Sequence, residues 1–181
     1  VIKEKITNNM PTREKIKVIH DYIIDNAEYD KLKYENKNDT TYKSNTAYGV
    51  LIEGYGTCNG YADAMAIFLN KLNVINYKIS NEEHIWNLVY LDGKWYHLDL
   101  TWDDPISDIN VNRDTYFLIT TNTLEKINDG THKFDKSIYI KLPTTVHIIS
   151  QIVSYKPISK YPPYLSIKSI SLTITLSTYI S

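Results

Sequence analysis

Asp92 and Gly93 stand between two runs of alternating aromatic and aliphatic residues, His84 to Leu91 and Lys94 to Thr101. That pattern predicts a hairpin closed by a two-residue type I′ turn, and the turn sets the register. Leu91 then faces Lys94, Tyr90 faces Trp95, Leu88 faces His97, Trp86 faces Asp99 and His84 faces Thr101. Side chains alternate between the faces of a strand, so His84, Trp86 and Leu88 share a face with Thr101, Asp99 and His97. His84 and Asp99 become diagonal neighbours, roughly 7–8 Å apart at the backbone and within side-chain reach. The turn thus places a base beside a carboxylate.

The single cysteine, Cys58, lies upstream of this pair. Four of the six glycines fall between Gly49 and Gly60, a stretch of tight turns. From Tyr61 the pattern turns helical: Tyr61, Ala64, Met65, Phe68 and Leu72 form one apolar stripe. Extended back three residues, the stripe reaches Cys58, with Thr57 or Gly56 as the N-cap. A thiol there meets unpaired N–H groups and the positive end of the helix dipole, which favour a thiolate. The competing reading is an inert buried cysteine. Cysteine, histidine and aspartate in this order suggest a thiol nucleophile, its base and the group that orients the base. His97 shares the hairpin face and is the rival base. His84 is preferred because it lies near the strand end, where the cysteine helix can approach.

Three spaced stretches carry a resemblance: Gly56-Thr57-Cys58-Asn59-Gly60-Tyr61-Ala62, His84-Ile85-Trp86-Asn87-Leu88-Val89, and Asp92 to Asp99 running into Thr101-Trp102-Asp103-Asp104-Pro105. With Ile19-His20-Asp21-Tyr22-Ile23, Tyr29-Asp30, Tyr116-Phe117-Leu118 and His132-Lys133-Phe134-Asp135, they resemble the bacterial transglutaminase-like proteins of the papain-like thiol superfamily. The resemblance runs from about Thr12 to Leu142. It implies an α+β fold with a papain- or transglutaminase-like core, the cysteine-bearing helix packed on an antiparallel β-sheet. It further implies Cys58 as nucleophile, His84 as base and Asp99 as orienting carboxylate. The backbone N–H of Cys58 is a candidate oxyanion donor.

Elsewhere, residues 12–27 read as a helix capped at Thr12, with Ile16, Ile19, Ile23 and Ala27 inward and His20 at the core edge. Lys31 to Ser44 is polar and reads as a mobile loop that borders the substrate cleft. Asn45 to Glu53 predicts a short helix ended by Gly54. Val74 to Ser80 and Tyr116 to Thr120 read as strands. Trp86 and Trp95 share the inner face of the hairpin and are expected to pack in the core. Asp108, Asn110, Asn112 and Asp114 alternate like a calcium loop. Arg113 and Ile119 stand where that loop needs glycine and glutamate, so a solvated loop is expected.

A net charge of −1 argues against a nucleic-acid partner, and no apolar run is long enough to span a membrane. One cysteine excludes an internal disulfide and fits a cytosolic chain or a secreted one that keeps a reactive thiol, with a secreted or cell-surface setting slightly favoured. From Lys141 onward there are four lysines and no acidic residue, and Leu172, Ile174 and Leu176 alternate with Thr and Ser. The shift divides a catalytic domain, 1–142, from a basic Ser/Thr-rich tail or extra strand, 143–181. The expected activity is cysteine-dependent acyl transfer, with hydrolysis of a peptide or protein amide placed first. Glutamine transamidation stands second, and a non-catalytic cell-surface or scaffold module is the alternative from another class. No cofactor and no metal is called for, and the oligomeric state stays open.

Overall fold

The computed structural model describes residues 2–104 and 113–139, within the unit Val1–Ile140. Its helices are α1 (Ile2–Lys5), α2 (Thr12–Asn26), α3 (Lys31–Glu35), α4 (Cys58–Lys71), α5 (Leu100–Asp103), α6 (Thr121–Ile127) and α7 (Lys136–Tyr139). Two short strands, β1 (Glu28–Tyr29) and β2 (Tyr55–Gly56), pair in parallel, while β3 (Asn76–Ser80), β4 (Ile85–Leu91) and β5 (Lys94–Leu98) form an antiparallel sheet in that order. The expected α+β arrangement is the one observed. The boundary expected at 142/143, the alternating tail around Ile174, and Asp108, Asn110 and Asn112 lie outside the described residues.

The main core lies between α2, α4 and one face of the sheet. Ile16, Ile19, Ile23 and Ile24 of α2 meet Ala64, Met65 and Leu69 of α4 and Val89, Leu91 and Leu98 of the sheet. Burying side chains of this size removes roughly 1.5–3 kcal/mol worth of apolar surface each from water. Helix α2 starts at Thr12 as its first turn, not as its cap. Pro11 takes the cap position without a side-chain hydrogen bond, and its ring already fixes φ at −55°. On α4 the buried stripe runs through Leu69, with Phe68 and Leu72 only partly buried.

The hairpin turn has Asp92 at φ 49° and Gly93 at φ 77°, the left-handed pair that a type I′ turn requires. Leu91, Tyr90, Val89, Leu88 and Asn87 pair with Lys94 through Leu98 in the expected register. The ladder ends at Leu98, earlier than expected. Asp99 caps α5, so Thr101 lies in a helix and does not face His84 across a strand. An aspartate that satisfies two helix N–H groups competes successfully with continued pairing.

Trp86 and Trp95 do not sit on the face that α4 covers. Trp86, Leu88 and Ile79 form a second, smaller cluster, with Trp95 and Phe134 packed against it. On the α4 side of the same strand, Asn87 donates from Nδ2 to the Ala62 carbonyl at 3.1 Å. Tyr116 to Thr120 does not form a full strand. Only Ile119 bridges to His97, through two backbone hydrogen bonds of 2.8 and 3.0 Å.

Lys31 to Ser44 is not wholly irregular, because Asp30 accepts from the Lys33 N–H at 3.0 Å and starts α3. The helix expected over Asn45–Glu53 becomes a π-helical turn at Gly49–Glu53, ended by Gly54 at φ 79°. Among the described residues no helix is long and apolar enough to cross a membrane.

Candidate functional site

Cys58 is the first residue of α4, with Thr57 in extended conformation at the N-cap. The Thr57 hydroxyl does not cap the helix. It donates to Asn45 Oδ1 at 2.6 Å, and the Thr57 N–H donates to the Ser44 carbonyl at 2.9 Å. Gly60 lets this turn lie against the same carbonyl: a Cβ there would stand 2.1 Å from Ser44 O. The cysteine turn is therefore braced by segment 43–45, and the thiol stays partly accessible.

His84 lies just before β4 and Asp99 just after β5, so the hairpin brings both to one end of the sheet. Nε2 of His84 is hydrogen-bonded to Oδ2 of Asp99, and the Cys58 thiol lies near enough to the same imidazole to act on its titration. With Nε2 engaged, Nδ1 is the nitrogen left for the thiol. Burial pulls the His84 pKa down, but the hydrogen bonds and charges of Asp99 and Cys58 outweigh it and raise it to about 9. Burial pushes the Asp99 carboxyl up, and hydrogen bonds from His132 and His84 more than reverse this, holding it below the usual carboxylate range. Its other oxygen, Oδ1, accepts from the N–H groups of Thr101 and Trp102 at 2.9 and 3.4 Å.

The turn Thr101-Trp102-Asp103-Asp104 fastens this carboxylate to the rest of the fold. Asp103 Oδ2 meets His20 Nε2 at 3.1 Å and its Oδ1 accepts the Tyr116 N–H at 2.8 Å. Asp104 accepts from the hydroxyl of Tyr61 on α4. His20 is fully buried, not at the core edge, and serves to pin α2. Trp102 is 40% exposed with its ring 6.4 Å from that of His84, so it walls the open side of the imidazole. His97 is buried away from the thiol. It accepts from Trp86 Nε1 at 3.0 Å and reaches Thr121 Oγ1 at 3.0 Å, and burial together with the nearby His132 charge lowers its pKa to about 4.

His132 was not among the expected site residues. It lies within a stretch that carries the resemblance, yet nothing in its spacing ties it to Asp99. Its Nε2 meets Asp99 Oδ2 at 2.7 Å and its Nδ1 meets Asp129 Oδ2 at 2.7 Å. One donor atom each from His84, Asp99 and His132 lies within 4.8 Å of the other two, a set of the kind that can hold a metal ion. A cavity of about 310 Å³ opens beside Asp129, His132 and Phe134, and Cys58, His84 and Asp99 do not line it.

A helix-borne thiol, an imidazole and a buried carboxylate at the end of an antiparallel sheet define a transglutaminase-like fold. The chain belongs to the transglutaminase-like superfamily, whose core profile matches residues 2–100. A crystal structure of a TGase is similar at 25% identity and a TM-score of 0.46, covering 57% of this chain and 29% of that one. A structure described as a "Putative Cysteine Protease" from Cytophaga hutchinsonii is similar at 23% identity and a TM-score of 0.40, covering 55% and 35%. This chain thus spans well under two thirds of either. Among curated proteins none matches it in sequence.

Proposed function

We propose that the protein is a cysteine-dependent acyl-transfer enzyme that hydrolyses a peptide or protein amide, with Cys58 as nucleophile, His84 as base and Asp99 as orienting carboxylate. The observation that carries this reading is one buried imidazole hydrogen-bonded to a buried carboxylate, with a helix N-terminal thiol near enough to raise its pKa. Because His84 holds its proton to about pH 9, it can balance the charge of a thiolate formed beside it. The sulfur attacks the amide carbonyl carbon and forms a tetrahedral oxyanion facing the first turn of α4. Collapse breaks the C–N bond, and His84 gives its proton to the leaving amine. Water, deprotonated by His84, then attacks the thioester, releases the carboxylic acid and restores the thiol. An amine taking the place of water would make the same site a transamidase.

Labelling with a thiol-directed acyl electrophile, located by mass spectrometry, tests the first half. A single adduct on Cys58, lost in His84→Ala, is expected. A peptide screen with and without an added amine then reads the acceptor. Labelling that is unchanged in His84→Ala sinks the proposal, and an amine-dependent product moves it to transamidation.

A further inference from the structure

Asp99 Oδ2 takes hydrogen bonds from two imidazoles, one more than a thiol–histidine–carboxylate set needs. His132 reaches it at 2.7 Å and is almost fully buried. The ring is held on its other side as well. Asp129 Oδ2 lies 2.7 Å from His132 Nδ1 and accepts from the Tyr116 hydroxyl at 2.8 Å. Asp129 Oδ1 accepts from the N–H groups of Thr131 and His132 at 2.8 and 3.1 Å, so the loop closes on its own carboxylate. Burial pushes that carboxyl up, but these hydrogen bonds and the nearby His132 together outweigh it and bring it down to about 2. Each ring nitrogen of His132 thus has a carboxylate oxygen as its partner.

Asn81 fastens this loop to the one that carries His84. Its Nδ2 donates to the Thr131 and Lys133 carbonyls at 2.6 and 2.9 Å, while its Oδ1 accepts from the His84 N–H at 2.8 Å. The Tyr116 ring stacks on His132 at 4.8 Å, with Trp86 at 4.9 Å and His84 at 5.1 Å edge-on.

A bound cation would also explain two imidazoles around one oxygen. The spacing argues against it. Donors on a tetrahedral zinc with bonds of about 2.0–2.1 Å stand roughly 3.3 Å apart, whereas 2.7 Å is an N–H···O⁻ distance.

We infer that His132, clamped by Asp129, is a positioning residue that fixes the Asp99 carboxylate on which His84 turns, so that the site is a chain Asp129–His132–Asp99–His84–Cys58. The inference rests on the acyl-transfer reading for its consequence, though not for its geometry. His132 holds Oδ2 of Asp99 while the first turn of α5 holds Oδ1, so both oxygens are fixed against rotation when His84 takes the thiol proton.

The experiment uses the full chain and the variants His132→Phe, His132→Gln, Asp129→Asn and His84→Ala. It reads the low-field imidazole N–H resonances of ¹⁵N-histidine protein, the pH profile of iodoacetamide alkylation at Cys58, and the thermal melt. The unaltered chain should show low-field signals from both His84 and His132. In His132→Phe one signal is lost and the His84 signal is displaced. Alkylation slows about tenfold, by analogy with the outer partners of metal-bound histidines, whose loss costs about 10–100-fold. His132→Gln, which keeps one N–H donor, recovers most of the rate. Should His132→Phe fail to fold, Asp129→Asn must still displace both signals. A His84 signal and an alkylation profile that match the unaltered chain in whichever variant folds overturn the inference. So does zinc binding tightly and stoichiometrically while quenching both signals. Alkylation that is insensitive to His84→Ala removes the acyl-transfer reading alone, because the displaced His84 signal would still report the chain.

Discussion

His84 and His97 both lie against Trp86, with ring centroids 5.5 and 6.3 Å from it, yet their titrations move in opposite directions. The difference is one of partners. Burial lowers both pKa values, but His84 faces a carboxylate and a thiol that outweigh it and rises to about 9. His97, with an indole N–H and a hydroxyl as partners, falls to about 4 through burial and the nearby His132. His84 therefore adds stability that is complete below its unfolded pKa of about 6.5 and is lost as pH rises through about 9. His97 is neutral when folded, so the unfolded chain takes up a proton first as pH falls below about 6.5, and stability drops until about pH 4. Each effect is on the order of a few kcal/mol. The melting temperature should peak near pH 6.5, with His97→Gln flattening the acid limb and His84→Gln the alkaline one; an acid limb untouched by His97→Gln would contradict the assignment. At neutral pH His97→Gln should cost roughly 1–3 kcal/mol in a urea melt, for the disturbed buried hydrogen bond, while Cys58 alkylation persists. Asp99→Asn keeps the shape but loses the charge that fixes the imidazole tautomer, a change worth about 10⁴-fold in a serine triad. Turnover on any substrate found should fall by less here, since a thiolate needs less help from its base. A variant with full turnover would remove Asp99 from the mechanism.

Secondary-structure elements show why parts of the site could be read from sequence and others could not. Cys58 and its helix were legible because an apolar stripe and a glycine-rich approach are local signals. Asp92-Gly93 fixed the register over five residue pairs, which carried His84 and Asp99 to the same end of the sheet. Asp99 as a helix cap was missed, because alternation continues into Leu100 and Thr101 while the competing cap bonds are not a periodic signal. His132 was missed for a different reason. Its contact with Asp99 spans 33 residues and depends on an aspartate-closed loop, and nothing periodic records either. Glycines give the sharpest test at this scale. Gly60→Ala would press a methyl against the Ser44 backbone carbonyl at 2.1 Å, which cannot yield as a side chain would, so α4 must move. Gly93→Ala meets nothing within 4 Å and bears only the strain of φ 77°. The first should cost several kcal/mol and slow Cys58 alkylation; the second should cost about 1–2 kcal/mol and leave alkylation alone. Equal urea midpoints for the two variants would mean that α4 is not seated on segment 43–45.

Considered as a whole molecule, the chain needs more than the 2–100 stretch that defines its family. Tyr116, Leu118 and Leu124 are buried, and Leu118 belongs to the main core with α2 and α4. Ile119 covers the outer edge of β5 by exchanging two backbone hydrogen bonds with His97. The Tyr116 N–H satisfies one oxygen of Asp103, a fully buried carboxyl whose burial raises its pKa and whose other oxygen holds His20. A chain cut after Asp104 would leave that oxygen unpaired, open a β-edge, expose the core beside Leu98 and remove both Asp129 and His132. Losses of this kind, at about 1–3 kcal/mol for the orphaned polar group and 2–5 kcal/mol for a missing core leucine, exceed a typical margin of 5–15 kcal/mol once several act together. A chain ending at Ile140 keeps every one of these contacts. Residues 1–140 should therefore unfold in a single cooperative urea transition and alkylate Cys58 at the rate of the full chain. Residues 1–104 should show no cooperative transition and should react with iodoacetamide as an ordinary unfolded thiol does, slowly at pH 6.5 and faster toward pH 8.5. If 1–104 instead folded cooperatively with fast alkylation at pH 6.5, residues 113–139 would be dispensable to the site, and the requirement for Tyr116 and Leu118 would have to be withdrawn.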